Sequence, residues 1–311
     1  MLNKQTRWGE NRYHSLNYEL KNTFHTKVYK LSLDGGMTCP NRDGTLDTRG
    51  CIFCSAGGSG DFATKRHLNI NEQINQAKKL VEKKQTADGK YIAYFQSYTN
   101  TYQSVSYLRD LFYDAIMHDD IVALSIATRP DCLSDEILEL LSELNHIKPV
   151  WIELGLQTIH ENTSKLINRC HTLENFENMV KKLKENNIEV VVHIINGLPY
   201  ETKEMMIDTV KYLNQLDIDG IKIHMLNIVK DTPLEKLYTK EKFHILTKEE
   251  YVDIVISQLE HLNEKIVIHR ITSDPDPKNL IAPDWLLKKT CLLNDIDKEM
   301  KKRNTYQGIN L

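Results

Sequence analysis

The sequence lacks several features that would place it in a common class of protein. It has no apolar run as long as the roughly 18 residues that a membrane-spanning helix requires. No Gly-x-Gly-x-x-Gly motif follows its first predicted strand, and no Gly-Lys-Ser/Thr phosphate loop occurs, which argues against dinucleotide-binding and P-loop domains. The first residues hold no apolar segment typical of a secretory leader. We therefore expect a cytoplasmic protein without membrane contact, whose thiols stay reduced.

An excess of basic residues is also missing. The 40 Lys and Arg residues against 43 Asp and Glu residues give a formal net charge of −3. This balance does not indicate a nucleic-acid-binding protein, although a local basic patch would suffice for one. Apolar residues at 41% and charged residues at 27% are typical of a globular chain, and 311 residues suffice for one large α/β domain or two ordinary ones.

What the sequence does contain is a cluster of three cysteines, Cys39, Cys51 and Cys54, in a glycine-rich loop after a strand-like run at 27–33. Clustered reduced thiols predict a metal or catalytic site. One possibility is structural zinc, with Asp61 or His67 as the fourth ligand. The other is an iron–sulfur cluster with three protein ligands and one open iron. The spacing alone leaves both possibilities open. The remaining cysteines are dispersed singly: Cys132, Cys170 and Cys291.

Strand-like and helix-like segments alternate from residue 27 onward, at the spacing of βα units. The predicted strands are 27–33, 90–96, 121–127, 149–155, 189–195, 219–225 and 265–270. The predicted helices are 70–86, 104–118, 134–145, 173–187, 202–216 and 247–263. Repeated βα units without a second domain favour a barrel. We expect an N-terminal arm at 1–26, a core barrel at 27–274 and a C-terminal cap at 275–311 that includes a charged helix.

Polar residues follow or occupy the C-terminal ends of nearly every predicted strand, where barrel enzymes build their sites. We expect them to meet around the cysteine loop and to surround a polar ligand. These candidates are Gln96, Tyr98, Thr99, Arg129, Glu153, Gln157, His193, Lys222, His224 and Arg270. Taken singly, each has a structural explanation, such as a buried ion pair or a hydrogen-bonded core histidine.

Three cysteines after the first strand of a βα barrel, with Phe53 just before the last one, resemble the radical S-adenosylmethionine (SAM) superfamily. The resemblance implies a partial (β/α)6-type TIM-like barrel with a C-terminal helical extension. It also implies a [4Fe–4S] cluster held by three cysteines, with SAM on the fourth iron. One electron from the cluster then cleaves SAM to methionine and a 5′-deoxyadenosyl radical. An electron donor of the flavodoxin or ferredoxin type is implied as a partner.

The eleven residues between Cys39 and Cys51 exceed the three that are commonest in the superfamily. A longer gap occurs in the branch that contains the catalytic subunit of Elongator. Further stretches resemble that branch: 128–131 (TRPD), 152–158 (IELGLQT), 168–172 (NRCHT), 219–224 (DGIKIH) and 231–235 (DTPLE). Nearly the whole chain resembles the bacterial YhcC/YtqA-type radical SAM proteins, by 38–44 (TCPNRDG), 59–62 (SGDF), 98–102 (YTNTY), 269–270 (HR) and 307–308 (QG).

The resemblance assigns a role to each candidate position. Cys39, Cys51 and Cys54 become cluster ligands. Gln96, Tyr98 and Thr99 take the place of the turn that contacts the methionine amino group of SAM. Glu153 and Gln157 lie near the ribose with Arg129 nearby, and Lys222 contacts the cofactor carboxylate. Three residues are left for substrate contact: His193, His224 and Arg270.

Two enzymatic hypotheses and one non-enzymatic hypothesis follow. The first is a radical SAM enzyme that modifies RNA, through the side chain of a tRNA wobble uridine. Basic stretches at 181–184, 288–289 and 301–303 would track phosphates, or are solvated helix faces. The alternatives are radical chemistry on a small metabolite or peptide, and a zinc-stabilised binding protein without catalysis.

Overall fold

The computed structural model describes residues 8–58, 63–64, 68–82 and 89–311. The 59–62 stretch, Asp61, His67 and the last residues of the predicted helix 70–86 lie outside the described residues. The strands of the described chain are β1 (Val28–Leu33), β2 (Lys90–Phe95), β3 (Ile121–Thr128), β4 (Val150–Gln157), β5 (Glu189–Asn196), β6 (Gly220–Met225), β7 (Ile228–Val229), β8 (Val267–Arg270) and β9 (Leu280–Ala282). The helices are α1 (Leu16–Phe24), α2 (Ile70–Val81), α3 (Val105–Ile116), α4 (Asp135–Asn145), α5 (Glu161–Leu166), α6 (Leu173–Glu185), α7 (Lys203–Leu213), α8 (Pro233–Glu241), α9 (Lys248–Glu260) and α10 (Lys289–Lys302).

The main sheet has seven parallel strands in the order β1-β2-β3-β4-β5-β6-β8, so each predicted strand exists and pairs with its neighbour along the chain. The interior positions of these strands are buried almost without interruption, because helices cover one face and the sheet's own interior covers the other. β7 and β9 form a separate antiparallel pair that the sequence did not predict. The α/β fold class with a C-terminal helix is confirmed.

The sheet curls into a partial barrel, and side-chain contacts across its interior show this. Lys30 on β1 lies 2.8 Å from Glu153 on β4, and Lys222 on β6 pairs with the same carboxylate. In a flat sheet, three inter-strand spacings would separate β1 from β4 by about 14 Å. Curling therefore brings the side chains of the first, middle and late strands into one interior.

The six helices predicted from 70 to 263 exist and begin within one residue of their predicted starts, whereas α1, α5 and α8 were not predicted. The side chains of Ser134, Thr172 and Thr202 accept hydrogen bonds from backbone N–H groups in the first turns of α4, α6 and α7. Thr247 forms a full capping box with Glu250 at the start of α9. Each cap satisfies an otherwise unpaired donor and stabilises its helix by about 1 kcal/mol. None of the helices in the described segments is both long and apolar enough to cross a membrane.

The amino-terminal end of the barrel is closed by α1, which the sequence did not predict. Leu20 of α1 packs on inward-facing side chains of four strands: Ile92, Ala123, Trp151 and Val191. The described part of the arm, from residue 8 onward, therefore packs against the barrel. With that end filled by apolar side chains, only the opposite end of the interior is left for a ligand.

The C-terminal segment is tied to both the arm and the barrel through Gln307, which is fully buried. Its amide donates to the carbonyls of Asn263 (2.8 Å) and Ile266 (2.9 Å), and its Oε1 accepts from the His14 N–H (2.9 Å). One side chain thus fastens both ends of the described chain to the turn before β8. The domain boundaries at 26/27 and 274/275 stay a prediction.

Candidate active site

A cavity of about 760 Å³ opens at the C-terminal ends of the barrel strands. Its lining comes from the cysteine loop (residues 39–54), from strands β1 to β6 and from the segment after β8. It includes every predicted site residue except Lys222: Cys39, Cys51, Cys54, Gln96, Tyr98, Thr99, Arg129, Glu153, Gln157, His193, His224 and Arg270. Polar side chains that are far apart in the sequence therefore meet at one place.

The long spacer between Cys39 and Cys51 folds back on itself. Gly44, with φ of 95°, turns the chain in a conformation that L side chains rarely adopt. The N–H of Gly50 then donates to the carbonyl of Asn41 at 2.6 Å, which closes the neck of the loop. Cys39 and Cys51 flank this neck, so the eleven-residue spacer between them loops outward and does not hold them apart.

A short segment after α5 clamps the neck of the cysteine loop. The side-chain amide of Asn41 donates to the Asn168 carbonyl at 2.6 Å, and the Asn168 amide donates to the Gly50 carbonyl at 2.9 Å. The Ile52 N–H donates to the Ile167 carbonyl at 3.0 Å. Asn168 has φ of 56°, a left-handed conformation that asparagine tolerates better than most residues. The NRCHT stretch therefore positions the cysteine loop.

Arg42 holds the other end of the cysteine loop. Its Nη2 donates to the carbonyls of Cys54 (2.8 Å) and Ser55 (2.7 Å). Its guanidinium also lies 5.8 Å from the centre of the Tyr98 ring, within cation–π range. A Cβ at Gly50 would lie 2.9 Å from Arg42 Nε, so this glycine leaves the room that the arginine occupies.

The chemistry of the three thiols suits a metal cluster. All six cysteines are free, and burial together with the neighbouring Cys54 and Cys39 raises the pKa of Cys51 to about 12. Within the described residues, no group of three His, Cys, Asp or Glu side chains is gathered tightly enough to hold one metal ion. A zinc ion needs its sulfurs about 2.3 Å from one point, whereas a cluster binds each thiolate through a different iron. Thiolates that each bind a different iron need not be gathered around one point, so the three cysteines suit a cluster.

Tyr98 and Thr99 contact the segments directly before and after the cysteine loop. Tyr98 has φ of 59°, its N–H donates to the Gly58 carbonyl at 2.8 Å, and its hydroxyl donates to the Ala56 carbonyl at 2.5 Å. The Thr99 N–H donates to the Thr38 carbonyl at 3.2 Å, next to the first cysteine. This strand end therefore supports the loop from both sides without being glycine-rich.

The floor of the cavity is a buried ionic group, called here the Glu153 cluster: Glu153, Lys30, Ser125, His193 and Lys222. The Glu153 side chain is fully buried. Its Oε1 accepts from Lys30 Nζ (2.8 Å) and Ser125 Oγ (2.6 Å), and its Oε2 accepts from His193 Nε2 (2.7 Å) and from Lys222. A buried charge is tolerated when it is paired and hydrogen-bonded in this way. Both oxygens of Glu153 are thus engaged by protein groups.

Burial shapes the ionisation of the Glu153 cluster. It lowers the pKa of Lys30 and lowers that of Lys222 well below its ordinary value, while the Glu153 charge acts in the opposite direction on both. Burial opposes ionisation of Glu153, but the charges of Lys222 and Lys30 hold its pKa well below its usual range. Burial, reinforced by the Lys222 charge, lowers the pKa of His193 to about 4, so this ring is neutral at pH 7. Neutral His193 donates its Nε2–H to the carboxylate, which leaves Nδ1 as an acceptor. Lys222 also contacts the Tyr94 hydroxyl at 3.0 Å and lies behind Glu153.

The end of β4 is reshaped by a bulge. The pairing of β4 with β5 shifts register between Gly155 and Gln157, and Gln157 has φ of 63°. A Cβ on Gly155 would lie 2.5 Å from the Gln157 amide nitrogen, so the glycine makes room for the returning side chain. The Gly155 carbonyl lies 3.0 Å from His171 Nε2. The bulge aims Gln157 into the cavity.

Arg129 is already engaged by the protein. Its guanidinium forms two hydrogen bonds with Asp131 (2.8 and 2.6 Å) and one with the Arg169 carbonyl (2.9 Å). Although burial works against it, the Asp131 carboxylate raises the pKa of Arg129 further. Arg169 is itself buried and donates to the carbonyls of Leu156 and Thr158, both at 2.7 Å. The two arginines connect β3, β4 and the clamp segment.

The predicted substrate residues lie on the β5, β6 and β8 side of the cavity. The His193 and His224 rings are 5.2 Å apart, and His224 Nε2 is buried without a hydrogen-bond partner among the described residues. Burial lowers the pKa of His224 well below its usual value. Arg270 pairs with Asp274 at 3.3 Å. This wall presents neutral imidazoles beside a cation.

Sequence reasoning missed several residues of the site. Lys30, Ser125 and Tyr94 surround Glu153, but they were read only as parts of apolar strands. A lysine at an inward position of a buried strand was the available signal, since such a charge requires a partner. The hydrogen-bonding roles of Asn41 and Asn168 left no comparable signal, because they depend on contacts between loops far apart in the sequence.

The fold and the cavity define the class: a barrel-type α/β enzyme whose site lies at the C-terminal ends of parallel strands. The family model of the Radical SAM superfamily matches residues 48–213, and that of the Radical SAM C-terminal domain matches residues 218–302. The chain belongs to the radical SAM superfamily, whose enzymes use a [4Fe–4S] cluster and SAM and need an electron donor.

Relatives agree with this assignment over nearly the whole chain. It is 48% identical to the uncharacterized protein YtqA of Bacillus subtilis (strain 168), across 96% of this chain and 92% of YtqA. It is 33% identical to protein YhcC of Escherichia coli (strain K12), across 91% of each. The predicted resemblance to YhcC/YtqA-type proteins is confirmed.

More distant similarity reaches the Elongator branch. The chain is 26% identical over 185 residues to the tRNA uridine(34) acetyltransferase of Methanocaldococcus infernus, across 58% of this chain and 34% of that protein. The solved structure of the Methanocaldococcus infernus Elp3 with an N-terminal deletion superposes with a TM-score of 0.68 at 18% identity, across 91% of this chain and 64% of that one. This structural likeness establishes the fold alone.

Proposed function

We propose that Cys39, Cys51 and Cys54 ligate the [4Fe–4S] cluster, and that the enzyme modifies the side chain of a tRNA wobble uridine. The observation that carries the ligand assignment is the placement of three free thiols along one wall of the cavity. When bound, the reduced cluster supplies the electron that cleaves SAM into methionine and a 5′-deoxyadenosyl radical, which abstracts hydrogen from the substrate.

The chain's own residues hold and orient SAM in this proposal. Gln96, Tyr98 and Thr99 border the cysteine loop, where the methionine end of SAM would lie beside the open iron. Gln157 projects from the β4 bulge, at the height where the ribose would lie. We place the substrate against the His193, His224 and Arg270 wall, which faces the cavity from the other strands. The list of proposed SAM contacts is completed by Arg129, Glu153 and Lys222.

The contacts of three of these residues shape their proposed roles. Glu153 and Arg129 already have protein partners, so they present fixed charges to SAM rather than free side chains. Lys222 is paired with Glu153, so it acts on SAM through that carboxylate unless SAM displaces it. Such preorganised charges cost little reorganisation when a charged ligand binds.

The RNA substrate is supported by the similarity to a tRNA uridine(34) acetyltransferase, of whose length this chain spans about a third. The predicted basic stretches give no added support. Most of their members pair with carboxylates: Lys182 with Asp135, Lys184 with Asp219, Lys289 with Asp274, Lys301 with Asp297, and Arg303 with Asp253. This pairing removes one argument for RNA, and the second candidate, radical chemistry on a small metabolite or peptide, does not need a basic surface.

One experiment separates the two substrates. Reconstituted enzyme with dithionite and SAM would receive bulk tRNA, the same tRNA after ribonuclease digestion, or a protein-free small-molecule extract. The RNA proposal predicts 5′-deoxyadenosine formation stimulated by intact tRNA alone, with a mass change in a digested uridine nucleoside. Stimulation by the small-molecule extract alone would replace it with the second candidate. The Cys39→Ala protein, treated identically, measures background.

A further inference from the structure

We infer that Asn41 is a positioning residue for the cluster, which donates an N–H···S hydrogen bond to Cys51 and thereby raises the cluster's reduction potential. The inference rests on the proposed ligand assignment of the three cysteines. It concerns a residue between the first two ligands, in the long spacer that departs from the superfamily's commonest pattern.

Geometry gives Asn41 this role. Its Nδ2 lies 3.6 Å from Cys51 Sγ and 2.6 Å from the Asn168 carbonyl oxygen. One amide nitrogen carries two hydrogens, so it donates to both acceptors at once. The contact to a carbonyl oxygen fixes which end of the amide faces the sulfur, because only the nitrogen end can donate. The hydrogen directed at Cys51 therefore does not depend on an arbitrary choice of amide orientation.

Burial indicates that the amide is placed for the sulfur. Asn41 is completely inaccessible to solvent, and its Oδ1 is buried without a hydrogen-bond partner among the described residues. A buried acceptor left unpaired costs free energy that an apolar residue at this position would not incur. Closure of the loop neck does not require the side chain, since it uses the backbone carbonyl of Asn41. The donation to sulfur and to the clamp remains as the function of the amide.

The effect on the cluster follows from electrostatics. A donor pointed at a ligating sulfur withdraws negative charge, and reduction adds negative charge to the cluster. The hydrogen bond therefore stabilises the reduced state more than the oxidised state. A more positive potential makes the cluster easier for a biological electron donor to reduce. The same charge argument excludes an aspartate here, which would neither donate nor tolerate a neighbouring thiolate.

The test compares two variants of the reconstituted full-length protein without SAM. Asn41→Leu removes the amide and keeps its approximate shape. Asn168→Gly is the matched control, because it removes the other side-chain bond of the clamp, keeps the carbonyl that Asn41 uses and suits the positive φ. Midpoint potentials come from redox titration followed by EPR, with iron and sulfide content measured alongside.

We expect Asn41→Leu to shift the midpoint potential to a more negative value while Asn168→Gly leaves it unchanged. An unchanged potential in Asn41→Leu, or equal shifts in both variants, would overturn the inference. If Asn41→Leu binds no cluster, pulsed EPR of the unmodified protein labelled with ¹⁵N-asparagine tests the inference instead. Coupling between the reduced cluster and an asparagine side-chain nitrogen, persisting in Asn168→Gly, would support the hydrogen bond from Asn41. Absence of such coupling would refute it. Unmodified protein that takes up no cluster would overturn the ligand assignment as well.

Discussion

The rim and the floor of the cavity are built by different means. At the rim, side-chain hydrogen bonds to backbone carbonyls hold the cysteine loop, through Asn41, Arg42 and Asn168. At the floor, charged side chains fixed on strands surround Glu153. The rim therefore depends on contacts that a single substitution can loosen locally, whereas the floor is a set of charges that stabilise one another. Damage at the rim should affect the cofactor, and damage at the floor should affect the whole fold.

The largest effect is expected at the rim from removal of a thiol. Replacing Cys39, Cys51 or Cys54 by Ala should abolish cluster assembly, because each thiolate would hold a different iron. Iron and sulfide analysis after anaerobic reconstitution measures this. Cys291→Ala is the matched control, since Cys291 is exposed on α10 and should leave iron content intact. Normal iron content in a loop-cysteine variant would contradict the ligand assignment.

At the floor, Glu153→Gln should destabilise the fold by about 3–5 kcal/mol. The reason is that buried Lys222 and partly buried Lys30 would lose their counter-charge. Urea unfolding at pH 7 measures the change. Glu143→Gln is the control at an exposed ion pair with Arg109 and should cause a much smaller loss. Comparable losses of unfolding free energy in the two variants would show that the Glu153 cluster stabilises the fold no more than an exposed ion pair does.

The floor should also make stability depend on pH. The pKa of His193 is about 4 in the folded protein, below its ordinary value of 6.5, so the unfolded chain takes up the proton first as pH falls. The contribution of neutral His193 to the free energy of unfolding is fully present above pH 6.5. It is lost as the pH falls toward 4, by up to about 1.4 kcal/mol per pH unit. Unfolding free energies measured across this range should decline less steeply in His193→Gln. An identical slope would contradict the neutral buried ring.

The smallest effect is expected where the β4 bulge meets the cavity. Gly155→Ala would push the Gln157 amide aside, because the added Cβ lies 2.5 Å from its nitrogen. We expect SAM to bind roughly 3–10-fold more weakly, equivalent to at most about 1.4 kcal/mol, as measured by isothermal titration. Gly9→Asn is the control, since a Cβ there meets nothing within 4 Å and its φ of 69° suits asparagine. Unchanged SAM affinity in Gly155→Ala would show that Gln157 does not contact SAM.

The floor and the rim also differ in how far the sequence predicted them. Periodicity predicts all seven strands of the main sheet, and the rule that sites lie at C-terminal strand ends selects Glu153 and His193 from the sequence alone. The register of parallel strands then fixes which inward residues meet, although Lys30 was overlooked. The partners of Glu153 depend on the curl of the sheet, which local sequence does not specify.

The rim was harder to predict. The three cysteines are visible in the sequence, but the segment that holds them, around Asn168, lies more than a hundred residues away and contacts them only in the folded chain. The helix α1 that closes the barrel was also missed, because it is only nine residues long, buries a single side chain, Leu20, and is stabilised by packing on the barrel. Short elements that depend on tertiary contacts leave little trace in local sequence.

The measurement that tests the central claim most directly is 5′-deoxyadenosine formation by anaerobically reconstituted protein with dithionite and SAM, followed by chromatography. Our account predicts 5′-deoxyadenosine in the unmodified protein and in Cys291→Ala, and none when Cys39, Cys51 or Cys54 is replaced by Ala. Production that persists without one of the three loop thiols, or a protein that binds one zinc ion and forms no 5′-deoxyadenosine, would contradict it.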